Sequence, residues 1–229
     1  MGRKAQHAPL LLRNMIIDAA EAVVSEGGLA LLSARELARR IGYSPGTIYN
    51  VYANLDDVIL HVEARMLDRL AQRLAGIESQ SPEDMILKLA HGYLTFTHEN
   101  PRLWNLLFEH RLPPGEPLPN WYSAKLTGLL ATIETALAPY FDPDAEPSRH
   151  RAARVLWSAV HGITSLSTSG KLSIITTEDS KLLVDDLVGH YLKGLARELP
   201  KARDLPAPPT KTRTKARPPS RPKTGDKKK

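Results

Sequence analysis

Residues 33–57 read SARELARRIGYSPGTIYNVYANLDD, and the breaks inside this stretch constrain the chain more than any other feature. A glycine and a serine–proline pair divide it into two short segments. Helices that short are marginal in water, so each must be held by packing against neighbours. The first segment opens with Ser33 and has Glu36 three residues on, the pattern of a capping box in which each side chain reaches the other's backbone N–H. Leu37 and Ile41 form its inner face, Ala38 is small enough for a close helix crossing, and Gly42 can take the positive φ that ends it. The second segment has Ser44 as N-cap and Pro45 at the first helical position. Projected at 100° per residue, Ile48, Val51, Tyr52 and Leu55 fall on one side, and Gly46 and Asn50, flanked by Thr47 and Tyr49, on the other. Two short helices joined by a glycine-containing turn are a helix-turn-helix pattern.

The surroundings are helical throughout, with no convincing alternation of strand type. A segment over about 11–25 carries Ile16, Ala20, Val23 and Val24 on one face and stops at Gly27-Gly28. Another starts at Asn54, with Asp56 and Asp57 favourable in its first turn, and has a long one-sided row of Val58, Val62, Met66, Leu70 and Leu74. After GIESQSPED, Ser81-Pro82 reads as a second cap. Helical patterning covers 82–99, breaks at Asn100-Pro101 and resumes through Trp104 and Phe108. RLPPGEPLP is a rigid loop, and further helices cover about 121–141, 149–169 and 178–199. The predicted architecture is all-α. It has an N-terminal three-helix helix-turn-helix domain (9–69), a C-terminal helical domain (78–199) and a tail (200–229) with almost nothing to bury, which should be disordered.

Charge has to be read by region. The 229-residue chain carries a net +6, but 11 Lys or Arg against 2 Asp lie between 201 and 229, so the other 200 residues have 20 basic and 23 acidic groups and a net of −3. Nucleic-acid binding by the folded part must therefore rest on a motif and not on its overall field. There are no cysteines, which excludes disulfides, thiolate metal sites and cysteine catalysis and fits a cytosolic protein. No apolar run is long enough to span a membrane. The basic start lacks the apolar core of a signal peptide, and Gln6 breaks the myristoylation pattern. The expected location is the cytoplasm, with the nucleoid when bound to DNA.

The outward face of the segment at 44–52 has few methylene stems and several short donors and acceptors. Gly46 permits close backbone approach to a groove, the methyl of Thr47 suits a thymine methyl, and Asn50 can bond adenine in bidentate fashion. Ser44 and the helix start suit a phosphate, and Tyr49 and Arg35 are phosphate contacts that position without specifying. The candidate DNA-contacting set is Ser33, Arg35, Ser44, Pro45, Gly46, Thr47, Tyr49, Asn50 and Tyr52.

SARELARRIGYSPGTIYNVYANLDDVI resembles the DNA-binding domain of the TetR/AcrR family of bacterial transcriptional regulators: Ser33, Glu36-Leu37-Ala38, Gly42, Ser44, Gly46-Thr47 and Tyr49 fall at the family's fixed offsets. Tyr43, Val51 and Leu55 depart from it, standing where Val, His and a phosphate-gripping Lys are usual. Arg39, Arg40, Arg13, Arg3 and Lys4 are candidates to take over that grip. Further on, LWSAVHGITSL, with Trp157, His161 and Gly162, resembles the Trp-His-Gly signature of one C-terminal domain type in the family. The resemblance implies an all-α homodimer bound to a palindromic operator on double-stranded DNA, acting mostly as a repressor. It also implies release of the DNA when a small apolar or amphipathic effector enters the second domain, and a four-helix dimer interface built from the last two long helices.

Tyr93, Phe96, Trp104, Phe108, Trp121, Tyr122, Trp157 and His161 are the candidates for a ligand pocket, although large aromatics also make up the bulk of any small helical core. Five histidines (His91, His98, His110, His150 and His161) invite a metal or catalytic reading. His91 and His98 lie two turns apart, about 10 Å, too far to share one ion. Neither a His-Glu-x-x-His nor a Gly-x-Ser-x-Gly motif is present, so no catalytic residue, metal or cofactor is expected. Two other classes compete with a ligand-responsive repressor. One is a nonspecific or architectural DNA binder driven by the basic tail. The other is a helical enzyme or small-molecule carrier that keeps the helix-turn-helix as scaffold.

Overall fold

The computed structural model describes residues 9–198, and every regular element among them is helical. Ten helices follow one another: α1 (Pro9–Gly27), α2 (Ala34–Ile41), α3 (Pro45–Tyr49), α4 (Leu55–Ala75), α5 (Pro82–Glu99), α6 (Pro101–Glu109), α7 (Asn120–Leu137), α8 (Glu146–Thr168), α9 (Leu172–Ile175) and α10 (Ser180–Glu198). The tail expected to be disordered, and Arg3 and Lys4, lie outside the described residues.

Helix starts follow local chemistry. Asn54 Oδ1 accepts the Asp57 N–H at 2.8 Å while Asp57 Oδ2 accepts the Ala53 N–H at 3.0 Å, which satisfies two backbone donors at the head of α4. Ser81 and Asp84 repeat the arrangement at α5. The box at α2 is only half made. Ser33 Oγ accepts the Glu36 N–H at 3.2 Å, but the Glu36 carboxylate turns instead to Arg39 and Arg40, whose guanidinium groups are stronger partners. At the other end of α2, Gly42 adopts φ +75°, and Tyr43 N–H reaches back to the Ala38 carbonyl at 2.9 Å, closing the helix in a Schellman turn.

Helix α3 is shorter than its sequence pattern suggests. It stops at Tyr49, so Val51 and Tyr52 lie in the turn that follows. Asn54 must be extended (φ −158°) to cap α4, and Gly46 and Asn50 are poor helix formers, so the chain leaves the helix early. Tyr52 N–H still bonds the Ile48 carbonyl at 2.9 Å, which keeps both side chains on the inner side.

Helices α1, α2 and α3 pack around Ile16, Ala20, Val23, Val24, Leu37 and Ile48, all fully buried, and α4 closes the unit against α1. Helix α4 is not one-sided. Its buried residues include Val58, Val62 and Met66, and also Leu60, Glu63 and Leu67, roughly a third of a turn away. The cause is its position: α1 packs on one flank, α5, α6 and α7 on the other. The core therefore runs unbroken from the helix-turn-helix into the second bundle. Arg102 at the start of α6 adds a polar tie, donating to the Ser25 carbonyl at 2.8 Å and to that of Glu26.

The left-handed conformation at Gly42 carries the first prediction. Gly42→Ala should destabilise the chain by about 1–2 kcal/mol, read as a lower urea midpoint at unchanged slope, with Gly42→Asn milder because asparagine tolerates this region.

Candidate nucleic-acid interface and ligand cavity

The outer face of α3 is small and open. Ser44, Pro45, Gly46 and Asn50 are exposed, Thr47 is half-buried, and the Tyr49 ring is 53 % exposed, while Ile48 on the inner side is fully buried. A Cβ added at Gly46 would meet nothing nearer than Ser44 Oγ at 3.9 Å, so no internal contact requires a glycine there. Ser44 holds the N-cap position without capping: its hydroxyl pairs with that of Thr47 at 3.1 Å. Ser33 and Arg35, at the start of α2, are exposed beside it.

Tyr52 has to be removed from the candidate contacts. It is 3 % exposed, its hydroxyl donates to the Arg13 carbonyl at 3.3 Å, and the Arg13 guanidinium lies 4.8 Å over its ring. Burial raises the pKa of its phenol. Its place at i+4 from Ile48 turns the side chain inward. Two candidate phosphate grips are also committed elsewhere. Arg39 forks onto Glu36 at 2.7 and 2.8 Å, and Arg40 bonds Glu36 at 2.8 Å and both Glu26 oxygens at 2.5 and 2.8 Å. These pairs, Arg39 foremost, hold the Glu36 carboxyl at about 2.

A cavity of about 440 Å³ opens between α4, α5, α6, α7 and α8, within the range of small-molecule pockets. Its wall is mostly leucine and isoleucine. Tyr93, Trp104, Phe108, Tyr122 and Trp157 line it. The other three candidate pocket residues do not. Phe96 is buried edge-on to Trp104, ring centres 5.9 Å apart, and fills the core between helices. Trp121 stands at the outer end of α7, 40 % exposed, with its ring 4.8 Å from that of His61. His161 sits behind the wall, stacked on Phe108 (4.3 Å) and Trp157 (5.3 Å), and is hydrogen-bonded to the Tyr93 hydroxyl at 2.7 Å. Burial lowers its pKa and so favours the neutral ring. Burial likewise pushes the Tyr93 phenol far up.

Two polar groups join the cavity wall, one of which, Glu63, is not among the candidates from sequence, while the other, His110, is a candidate there only for metal or catalysis. Glu63, 3 % exposed in the middle of α4, and His110, just beyond α6, both line the cavity. His110 Nδ1 lies 3.0 Å from Glu63 Oε1, and Nε2 lies 3.1 Å from Asp56 Oδ1. With a carboxylate at each nitrogen, the ring is favoured as an imidazolium. The bond to Glu63, then that to Asp56, raises its pKa above 6.5 against the opposing effect of burial. Tyr122 completes the cluster, its phenol pushed up by burial and by the Glu63 charge. The helical spacing of Leu60, Glu63, Leu67, Leu70 and Leu74 is the only sign in the sequence that Glu63 faces inward, and a lone glutamate among apolar residues ordinarily reads as solvent-facing.

The other three of the five candidate histidines are engaged structurally: His91 with Asp185, His98 with Ser167 at 3.0 Å and His150 with Glu134 at 3.2 Å. Among the described residues no group of three or more His, Asp or Glu side chains is placed to hold a metal ion, and no helix is long and apolar enough to cross a membrane.

Comparison with known proteins gives two family matches: "Bacterial regulatory proteins, tetR family" over residues 16–62, and "Tetracyclin repressor-like, C-terminal domain" over 86–191. An uncharacterised helix-turn-helix-type transcriptional regulator of Mycobacterium tuberculosis is 27 % identical over 188 residues, 82 % of this chain and 83 % of the relative. Two solved structures share the fold. A protein of unknown function from Rhodococcus has a TM-score of 0.66 at 19 % identity, covering 86 % of this chain and all of that one. The transcriptional regulator FadR of Bacillus subtilis, solved with stearoyl-CoA, has a TM-score of 0.54 at 16 % identity, covering 79 % of this chain and 98 % of that one.

Because the folded His110 has the higher pKa, its pairing stabilises the protein fully below about pH 6.5 and fades as pH rises through the folded-state value. The urea midpoint of His110→Gln should fall below that of the parent at about pH 5.5, and the gap should shrink by about pH 9.

Proposed function

The chain belongs to the TetR family of bacterial transcriptional regulators, DNA-binding proteins and not enzymes, and on that premise we propose that it is a ligand-responsive repressor. In this reading it grips a palindromic operator as a homodimer, with one α3 per half-site. Thr47 and Asn50 read base edges, Gly46 lets the backbone approach, and Ser33, Arg35, Ser44, Pro45 and Tyr49 hold the phosphate backbone. One five-residue helix contacts too few bases to select a site, whereas two of them, about 34–36 Å apart or somewhat more, read two half-sites together. Val155 on α8 and Leu182 on α10, 49 % and 48 % exposed, suit a dimer face on those helices. The division at 9–69 and 78–199 is kept as two functional units that share one core.

The observation that carries the ligand-responsive part is the double engagement of His110. It touches Glu63 in the cavity wall and Asp56 in the first turn of α4, two turns or about 10.5 Å nearer the DNA-reading unit. A ligand that favours a different setting of Glu63 or His110 biases the tilt of α4 and so the spacing of the two α3 helices. Its effect on DNA affinity can be no larger than its preference for one setting over the other. The effector is expected to be apolar or amphipathic, like the wall, and the protein to work in the cytoplasm. The Bacillus subtilis FadR, which shares this fold, was solved in complex with stearoyl-CoA.

The test is selection of genomic fragments by the purified full chain. The proposal expects a common palindrome. Thr47→Ala with Asn50→Ala should weaken binding to it by about ten- to a hundredfold, leaving affinity for random DNA nearly unchanged. Retention of the palindrome by that variant, or loss of all binding when residues 200–229 are removed, contradicts it.

A further inference from the structure

We infer that the cavity takes an elongated, uncharged lipophile carrying one hydrogen-bond acceptor, such as a ketone or ester oxygen, which receives the indole N–H of Trp104. This rests on the reading of the cavity as the effector site. The first observation is an unmet donor. Trp104 is 3 % exposed, lines the cavity, and its Nε1 has no hydrogen bond of good geometry among the described residues, being only close enough to the Tyr93 hydroxyl to hold that phenol's pKa down slightly against burial. Tyr93 stands next to it, ring centres 5.3 Å apart and edge-on, with its hydroxyl engaged by His161. A buried N–H left unpaired costs free energy that an entering acceptor recovers.

The second observation is charge. Among the described residues no lysine or arginine lines the cavity. His110, the one basic residue in the wall among those described, is flanked by two carboxylates, so with the ring in either form the cluster of His110, Glu63 and Asp56 carries a net negative charge. A carboxylate or phosphate head brought inside would lose its hydration, meet that charge and find no free cation. An alkylammonium head would find Glu63 already held by His110 and would leave the Trp104 N–H unmet. Beyond these points the surface is aliphatic and aromatic, including Leu67, Leu70, Leu126 and Ile133, and suits an alkyl or terpenoid body.

Calorimetric titration of the full chain with three probes of equal chain length decides the matter: decan-2-one, decanoate and decyltrimethylammonium. The ketone should bind at least tenfold more tightly than either ion. Trp104→Phe should weaken the ketone by about three- to tenfold while leaving the ions unaffected. Equal or tighter binding of either ion, binding of none of the three, or an unchanged ketone affinity in a folded Trp104→Phe overturns the inference. If that variant does not fold, the selectivity of the parent decides alone. Release of the selected DNA is measured separately. A ketone that binds as stated but leaves DNA affinity unchanged refutes the effector reading and leaves the ligand class standing.

Discussion

The burial of α4 on two flanks is the constraint from which the rest of the structure follows. One flank, with Val58, Val62 and Met66, belongs to the helix-turn-helix core. The other, with Leu60, Glu63, Leu67, Leu70 and Leu74, is cavity wall. The ion pairs along the α1–α4 seam, Arg65 with Asp18 and Arg69 with Glu21, are partly exposed, and such pairs each contribute between about 0 and 1 kcal/mol. Truncating one buried Met or Leu costs about 2–5 kcal/mol. Apolar burial therefore fixes where α4 sits, and the ion pairs trim its register. Because the helix runs through the one core that both units share, a shift of α4 on one flank disturbs the packing on the other.

Packed interiors leave few voids larger than a water molecule, so a cavity of about 440 Å³ is more than packing slack. It is also unlike an ordinary core in its polar content, which gathers at two places: the cluster of Glu63, His110 and Tyr122, and the pair formed by Trp104 and Tyr93. The first can pass a change of occupancy to Asp56 and the head of α4. The second offers a hydrogen bond that discriminates between occupants. On the proposed function, affinity and response reside in different groups of one cavity.

Much of this was legible in the chain itself. The caps at Asn54 and Ser81, the turn at Gly42 and the inward set Ile16, Leu37 and Ile48 follow from local rules, because each depends on residues a few positions apart. Most of what escaped depends on distant partners. Arg13, far back in the chain, seats the inward Tyr52 ring, and Glu26 diverts Arg40 from solvent, whereas the diversion of Glu36 from its cap is a local competition from Arg39 and Arg40 that the capping pattern ignores. Five of the eight candidate pocket residues line the cavity, yet aromatic character alone could not separate them from Phe96 and Trp121. Glu63 and His110 stand 47 positions apart, and periodicity carries no information about such a pairing.

The central claim is that the state of the cavity wall is felt at the head of α4. Hydrogen exchange of the backbone at residues 53–60, compared between the parent and Glu63→Gln, tests it without any ligand. That substitution keeps side-chain volume and alters only the cavity end of the His110 bridge. The account predicts faster exchange at Ala53 and Asp57, whose amides are held by the α4 cap, with the interior of α1 unchanged. Identical exchange at those amides in the two proteins would contradict it.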